Sequence, residues 1–191
     1  MKLLRAADRV ATPWKNGLGV TREIAVYPPG AGLDEFDWRI SMATVDTGGP
    51  FSSFPGVDRI LTVLEGRLSL KVDGGAPIEL GPDSPPLAFP GDISVEADLL
   101  SGPVTDLNVM TRRGRMRATL EPLYIDRPLQ IAASPTTIIL ARGVGVDLVH
   151  QGRRHPLAMD DAVMFDQAAS EAIQLEPRQP LTLFIVRLAP S

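Results

Sequence analysis

The stretch Pro50-Phe51-Ser52-Ser53-Phe54-Pro55-Gly56-Val57-Asp58-Arg59 runs directly into Ile60-Leu61-Thr62-Val63-Leu64-Glu65-Gly66. Its first part reads as a loop with a polar and aromatic tip, stiffened by Pro50 and Pro55 because proline fixes φ. Its second part is an apolar run too short for a helix, ended by a glycine, and reads as a buried strand with a tight turn. Asp58 and Arg59 stand side by side where loop meets strand. Such a junction is expected at the mouth of a small β-barrel, with the polar loop leading to a ligand site.

The flanking chain follows the same grammar. Phe36, Trp38, Ile40 and Met42 alternate with Asp37, Arg39, Ser41 and Ala43, the period-two pattern of a strand. One face belongs in the core; Arg39 and Ser41 face either solvent or a barrel interior. From Val20 to Val26 apolar and polar residues roughly alternate, with Thr21 and Glu23 opposite Val20, Arg22, Ile24 and Val26. Before that strand, Trp14-Lys15-Asn16-Gly17-Leu18-Gly19 reads as a turn or a close backbone approach. It is either a structural turn packed by an indole or part of a ligand site lined by indole, ammonium and amide. Asp73-Gly74-Gly75 signals a hairpin. Along Val104–Met110, Asp106 and Asn108 share a face with Val104 and Met110, so each needs a partner or a ligand.

With 18 prolines and 17 glycines scattered as single turn signals among 191 residues, many short strands are expected. The apolar share of 44% against 22% charged supports a packed core rather than disorder. A net charge of −4 argues against nucleic acid as main partner, since phosphate binding needs a concentrated basic face. The pI of about 5.2 points the same way. The absence of cysteine excludes disulfides and thiolate metal sites. The N-terminus lacks the apolar run of a signal peptide, and no apolar run approaches the ~20 residues that span a bilayer, so a cytoplasmic protein without a membrane partner is expected.

After the basic cluster Arg112-Arg113-Gly114-Arg115-Met116-Arg117, the pattern repeats. Thr136–Leu148 mirrors Arg59–Leu70, Asp160–Asp166 mirrors Pro85–Asp92, and Leu181–Leu188 mirrors Val104–Met110. Two copies of one antiparallel unit are the economical explanation. The expected fold is all-β: two small antiparallel β-barrels or jelly rolls packed together, residues 1–113 and residues 114–191. The basic cluster is then a solvated linker, or else Arg112 or Arg113 pairs with a carboxylate between the halves.

The hairpin Val63-Leu64-Glu65-Gly66 and the later Phe89-Pro90-Gly91-Asp92 resemble the core pattern of cupin barrels. A narrower set resembles the HutD/Ves family: Trp14–Glu23, Phe36–Ala43, Gly49–Arg59 and Thr105–Arg113, in the family's order over the first ~110 residues. The resemblance implies a two-barrel cupin (a bicupin) of the bacterial cytoplasm, associated with histidine utilisation, that binds a pathway intermediate and limits flux. It implies no established catalytic chemistry, and the Ves branch leaves the pathway open.

Metal-dependent cupins hold their ion with two or three histidines and a carboxylate. This chain carries only His150 and His155, read as exposed turn residues in an arginine-rich segment. In the first half, Ser52, Phe54 and Asp58 stand roughly where a metal cupin carries histidines. No metal and no cofactor is expected. Nucleophilic catalysis lacks a cysteine, a nearby histidine or a Gly-x-Ser-x-Gly elbow. A binding role is favoured over catalysis, the alternative being a metal-independent isomerase or lyase acting on a small acid, with Glu23 or Asp58 as base. In the binding reading Lys15, Arg39 and Arg59 neutralise carboxylates. Asn16, Thr21, Ser41, Ser52 and Asn108 read polar groups, Glu23, Asp58 and Asp106 complete the polar set, and Trp14, Trp38, Phe51 and Phe54 supply apolar walls. The expected ligand is a small planar or acidic metabolite such as urocanate, N-formylglutamate or formiminoglutamate. Strands that add across a barrel edge also allow a homodimer.

Overall fold

A computed structural model describes residues 1–14, 17–132, 134, 136–143, 145–166 and 172–191. The chain is all-β and divides into two compact units. One is Val10–Arg117; the other joins Ala118–Pro190 with the first nine residues, Met1–Arg9.

Those nine residues carry β1 (Lys2–Leu4) and a single 3-10 turn at Ala6–Asp8. The unit Val10–Arg117 holds β2 (Ala11–Pro13), β3 (Gly19–Tyr27), β4 (Trp38–Val45), β5 (Gly49–Pro50), β6 (Val57–Glu65), β7 (Leu68–Val72), β8 (Ile78–Leu80), β9 (Leu87–Pro90), β10 (Val95–Leu99) and β11 (Val104–Arg112). Then come β12 (Met116–Ile125), β13 (Leu129–Ile131), β14 (Thr136–Arg142), β15 (Val146–His150), β16 (Arg153–Leu157), β17 (Ala162–Phe165), β18 (Ile173–Pro177) and β19 (Leu181–Pro190).

In Val10–Arg117 a six-stranded sheet, β2-β3-β4-β11-β6-β9, is accompanied by a four-stranded sheet, β5-β10-β7-β8. The described pairs in both are antiparallel. The second unit repeats the order: β1-β17-β14-β19-β12 beside β13-β18-β15-β16. Thus β17-β14-β19-β12 matches β9-β6-β11-β4, strand for strand. Among the described residues no sheet closes on itself; each unit is built from two open sheets that share one core. Leu61, Val63, Phe89 and Val104 of the larger sheet meet Leu68, Leu70, Leu80, Val95 and Ala97 of the smaller. In the other unit Ile139, Val163, Leu183 and Ile185 meet Val146, Leu148, Ile173 and Leu175. Each of these side chains except the smaller Ala97 contributes about 1.5–3 kcal/mol by leaving water.

The Asp73-Gly74 hairpin forms as its sequence demands, both residues with positive φ (50° and 68°). The alternation over Val20–Val26 does not hold throughout. A β-bulge between Glu23 and Ala25 inserts Ile24, so Glu23 pairs with Ser41 but Val26 pairs with Arg39. Val26 is thereby turned onto the face that Thr21 and Glu23 occupy, because one extra residue reverses the pleat.

In the basic cluster Arg113, Gly114, Arg115 and Arg117 are exposed, as a solvated segment would be, and the partners of Arg112 and Arg113 lie in their own unit rather than across the halves. Arg112 donates to three main-chain carbonyls of its own unit, those of Asp34, Pro55 and Phe36, at 3.0, 3.0 and 3.4 Å. Arg113 grips Asp58 at 2.8 Å and both oxygens of Asp92 at 2.9 and 3.1 Å. His150 and His155 are half-buried rather than exposed. Only Gln151-Gly152 forms their turn, which leaves both histidines inside strands. His150 meets Phe165 edge-on at 5.2 Å.

The N-terminal segment is tied down by Asp161, which is buried. Its carboxylate accepts from the Ala6 N–H at 2.8 Å, the Ala158 N–H at 3.0 Å and Arg5 Nη1 at 2.7 Å. Burial works to raise the Asp161 carboxyl, but these bonds together outweigh it and hold it below the usual range. A depressed carboxyl stabilises the fold above its unfolded pKa, and that contribution fades as pH falls through its folded value. Asp161→Ala should therefore lower stability by about 2–3 kcal/mol at neutral pH. In urea titrations the gap from wild type should narrow in acid; a gap constant with pH would refute the charged tether.

Candidate functional site

Strand register assembles the site. On the six-stranded sheet Arg39 and Arg59 both lie opposite Met110, Ser41 and Leu61 opposite Asn108, and Ala43 and Val63 opposite Asp106. On the outer strands Glu23 lies opposite Ser41, Thr21 opposite Ala43, and Phe89 opposite Arg59. Directly opposed residues share a face. This is the face that turns Leu61 and Val63 into the core, so Arg39 and Ser41 point between the two sheets.

At its centre Arg59 is only 6% exposed. Its guanidinium carbon lies 5.0 Å from the ring centre of Phe51, 5.2 Å from Phe89 and 5.6 Å from Phe54. Arg59 Nη2 donates to Asn108 Oδ1 at 2.6 Å, and Asn108 Nδ2 donates to Asp106 Oδ1 at 2.6 Å. Arg59 Nε is buried with no protein partner. Three ring faces favour the cation electrostatically but offer no acceptor, so part of the guanidinium fork stays unspent. Asp106 is 1% exposed, and burial pushes its carboxyl up to about 7 against the pull of Arg59 and Asn108. Burial likewise lowers Arg59 to about 10, with Asp106 raising it and Arg39 lowering it further. Arg59 therefore stays charged at neutral pH.

Towards solvent, Arg39 Nε donates to Glu23 Oε2 at 2.8 Å, the Arg39 side chain 14% exposed and that of Glu23 42%. Arg39 Nη1 reaches Ser41 Oγ at 3.4 Å. Trp14 Nε1 donates to Thr21 Oγ1 at 2.7 Å. The indole lies over Gly19, where a Cβ would sit 3.3 Å from the ring and 2.6 Å from the Thr44 carbonyl; only glycine fits.

Thr21, Glu23, Arg39, Ser41, Arg59, Asp106 and Asn108 thus share one face, with Phe51 and Phe54 over Arg59 and Trp14 joined through Thr21. Three expected residues stand apart. Trp38 is on the opposite face, stacked on Tyr27 at 6.1 Å, because it alternates with Arg39. Asp58 alternates with Arg59 and pairs with Arg113 instead. Ser52 is exposed at the loop tip. Lys15 and Asn16 lie outside the described residues.

Sequence reading missed Phe89 as a wall; its signal is its spacing from Leu87, which turns both inward. It also missed Gly91. A Cβ there would sit 3.3 Å from Arg59 Cδ and 3.0 Å from the Val57 carbonyl, so this glycine leaves room for the arginine stem.

Comparison with known proteins places this geometry. The model of the HutD family matches residues 6–183. The chain belongs to the HutD family. It is 40% identical to an uncharacterised 21.2 kDa protein in the hutC 3' region of Pseudomonas putida, over 73% of this chain and 72% of the relative. It is 42% identical to protein Ves of Citrobacter koseri over 55% of this chain and 54% of the relative, about half of each. Among solved structures, a conserved protein of unknown function from Pseudomonas aeruginosa PAO1 superposes with TM-score 0.91 at 36% identity, covering 98% and 97% of the two chains. HutD from Pseudomonas fluorescens SBW25, in a formate condition, gives TM-score 0.84 at 32% identity over 100% and 98%. A cupin 2 conserved barrel domain protein from Leptotrichia buccalis shares the fold, with TM-score 0.63 at 7% identity over 98% and 96%. The HutD fold is thus cupin-like.

The raised Asp106 carboxyl has a stability consequence. Unfolded, it ionises near its ordinary value; folded, it keeps its proton up to about 7. Between those values the folded state binds more protons, so its stability falls as pH rises, then levels off. Asp106→Asn lacks this loss. Its stability relative to wild type should improve by about 2–4 kcal/mol between about pH 4 and about pH 7, by chemical denaturation. A difference flat with pH would show that Asp106 is ionised throughout.

Proposed function

We propose that this HutD-family chain is a metal-free protein that binds a small carboxylate metabolite and thereby modulates histidine utilisation. The observation that carries this reading is Arg59: a buried, charged guanidinium walled by Phe51, Phe54 and Phe89, with Nε unpartnered. A planar fork with unspent donors suits a carboxylate. Ser41 and Asn108 on the same face suit a neighbouring amide, formyl or imidazole group. Urocanate, N-formylglutamate and formiminoglutamate combine those features. The pathway reading is supported by family membership and by the relative from the hutC 3' region. With it goes a cytoplasmic location; among the described residues no helix is long and apolar enough to cross a membrane. A metal-free site is supported by the absence, among the described residues, of three grouped His, Cys, Asp or Glu side chains. We read the two units, with their matching strand orders, as the two cupin-like barrels of one bicupin.

A second reading rests on Asp106. A carboxyl poised at about 7 suits an acid or base in a metal-independent isomerase or lyase. Glu23 and Asp58 suit that role less, since each is engaged by an arginine near solvent. Turnover of any of the three metabolites, lost in Asp106→Asn, would favour catalysis.

The binding reading is tested by thermal shift with formate and the three metabolites at millimolar concentration, since a ligand bound only by the native state raises Tm. At least one should raise it. Arg59→Lys, which keeps the charge but loses the fork, should weaken binding by about tenfold, and Arg59→Ala should weaken it further. If Arg59→Ala keeps a native circular-dichroism spectrum and the wild-type shift, the ligand binds elsewhere.

A further inference from the structure

Ionised Asp106 and a bound carboxylate would compete for the same buried cation. Arg59 holds the oxygen of the Asn108 amide, and the NH2 of that amide holds Asp106, at 2.6 Å in each step. The amide is fixed at both ends, so the guanidinium and the carboxyl sense each other through one polarised link. The surroundings offer Asp106 little else. Its neighbours in register are Ala43 on β4 and Val63 on β6. From the smaller sheet β7 contributes Leu68 and Leu70 to this core, and β10 contributes Val95 and Ala97. The charged groups on the shared face are Arg59 on β6, Arg39 on β4, Glu23 on β3 and, at the far end of β11, Arg112. Arg39 and Glu23 neutralise each other at 2.8 Å, and Arg112 donates to main-chain carbonyls six residues along the strand from Asp106. On β9 the residues facing in are Leu87 and Phe89.

With Asp106 protonated, the centre of the face, around Arg59 and Asn108, carries one uncompensated positive charge, on Arg59. With Asp106 ionised, it carries none. A carboxylate seated on Arg59 supplies the countercharge itself, and a second anion in this low-dielectric interior is then repelled. We propose that the site takes up a carboxylate together with a proton, the proton lodging on Asp106. This inference rests on the carboxylate reading above and adds what the site selects: the elements of an undissociated acid rather than an anion alone. Oδ1 accepts from Asn108, so the proton occupies Oδ2. It comes from solvent, and no bond of the ligand is made or broken. Even without ligand the Asp106 carboxyl stands at about 7, so a neighbouring anion has only to tip it.

Calorimetric titration of the full chain with N-formylglutamate and with formate tests the coupling, because neither probe titrates between about pH 6 and about pH 8. At about pH 8, in two buffers of different ionisation enthalpy, the apparent binding enthalpy should differ by the amount due to uptake of close to one proton. Affinity should fall by up to about tenfold per pH unit above about pH 7. In Asp106→Asn, whose amide cannot ionise, both dependences should vanish. Binding by the wild type that ignores buffer and pH overturns the inference and leaves the carboxylate reading standing. Persistence of the wild-type pH dependence in Asp106→Asn places the proton elsewhere and overturns it too. If neither probe binds at about pH 6, the reading and the inference fall together. Should Asp106→Asn not fold, the wild-type buffer comparison decides alone.

Discussion

Burying the Arg59 guanidinium is the demand that the rest of its unit answers. An isolated cation in an apolar interior costs several kcal/mol even after relaxation. Here the cost is offset by three phenyl faces and one amide, with a carboxyl one further bond away. Phe51 and Phe54 come from the loop just before Arg59, but Phe89, Asn108 and Asp106 are distant in sequence. β6 must lie between β11 and β9 in one register so that Asn108 and Phe89 reach the same side. The loop before β6 must fold back, and it does so through main-chain bonds from Phe54 to Gly91 and from Gly91 to Val57, each 2.7 Å. Arg112 then fixes the same loop at the Pro55 carbonyl.

The two units share a strand order but not an interior. In the second, Thr137 pairs with Phe165 as Arg59 pairs with Phe89, and Arg187 stands where Met110 stands. Thr137 is fully buried, with its hydroxyl bonded to Ser134. Around it lies a continuous apolar core. One copy is apolar around the Arg59-equivalent position, its buried carboxylates Asp147 and Asp161 being paired with arginines, and the other holds a cation between its sheets.

Much of the polar set was legible because strand alternation is. Arg39 and Ser41 fall together, as do Asp106 and Asn108, and strands rich in such alternation must place their polar members on one side. Alternation also explains the misplacements. Trp38 and Asp58 are adjacent to Arg39 and Arg59 in sequence, and adjacency along a strand means opposite faces. What stayed hidden depends on chain-distant geometry. Nothing in Val20–Val26 announces the bulge that turns Val26 inward, because a bulge is defined by its partner strand. Nothing in Arg112 says that its donors end on carbonyls rather than on carboxylates. Nothing in Lys2–Leu4 says that it pairs with Ala162–Met164 rather than with the strands that follow it.

That pairing bears on how the chain is made. Arg5 and Asp161 are 156 positions apart, so the first strand emerges from the ribosome long before its partner exists. The unit Val10–Arg117 has its strands β2 to β11 before Ala162–Met164, the partner of β1, has been made. Domains generally fold as units in order of synthesis, but here a segment that precedes one unit belongs to the other. Until Ala162–Met164 has been made, Leu3 lacks the core against which it packs.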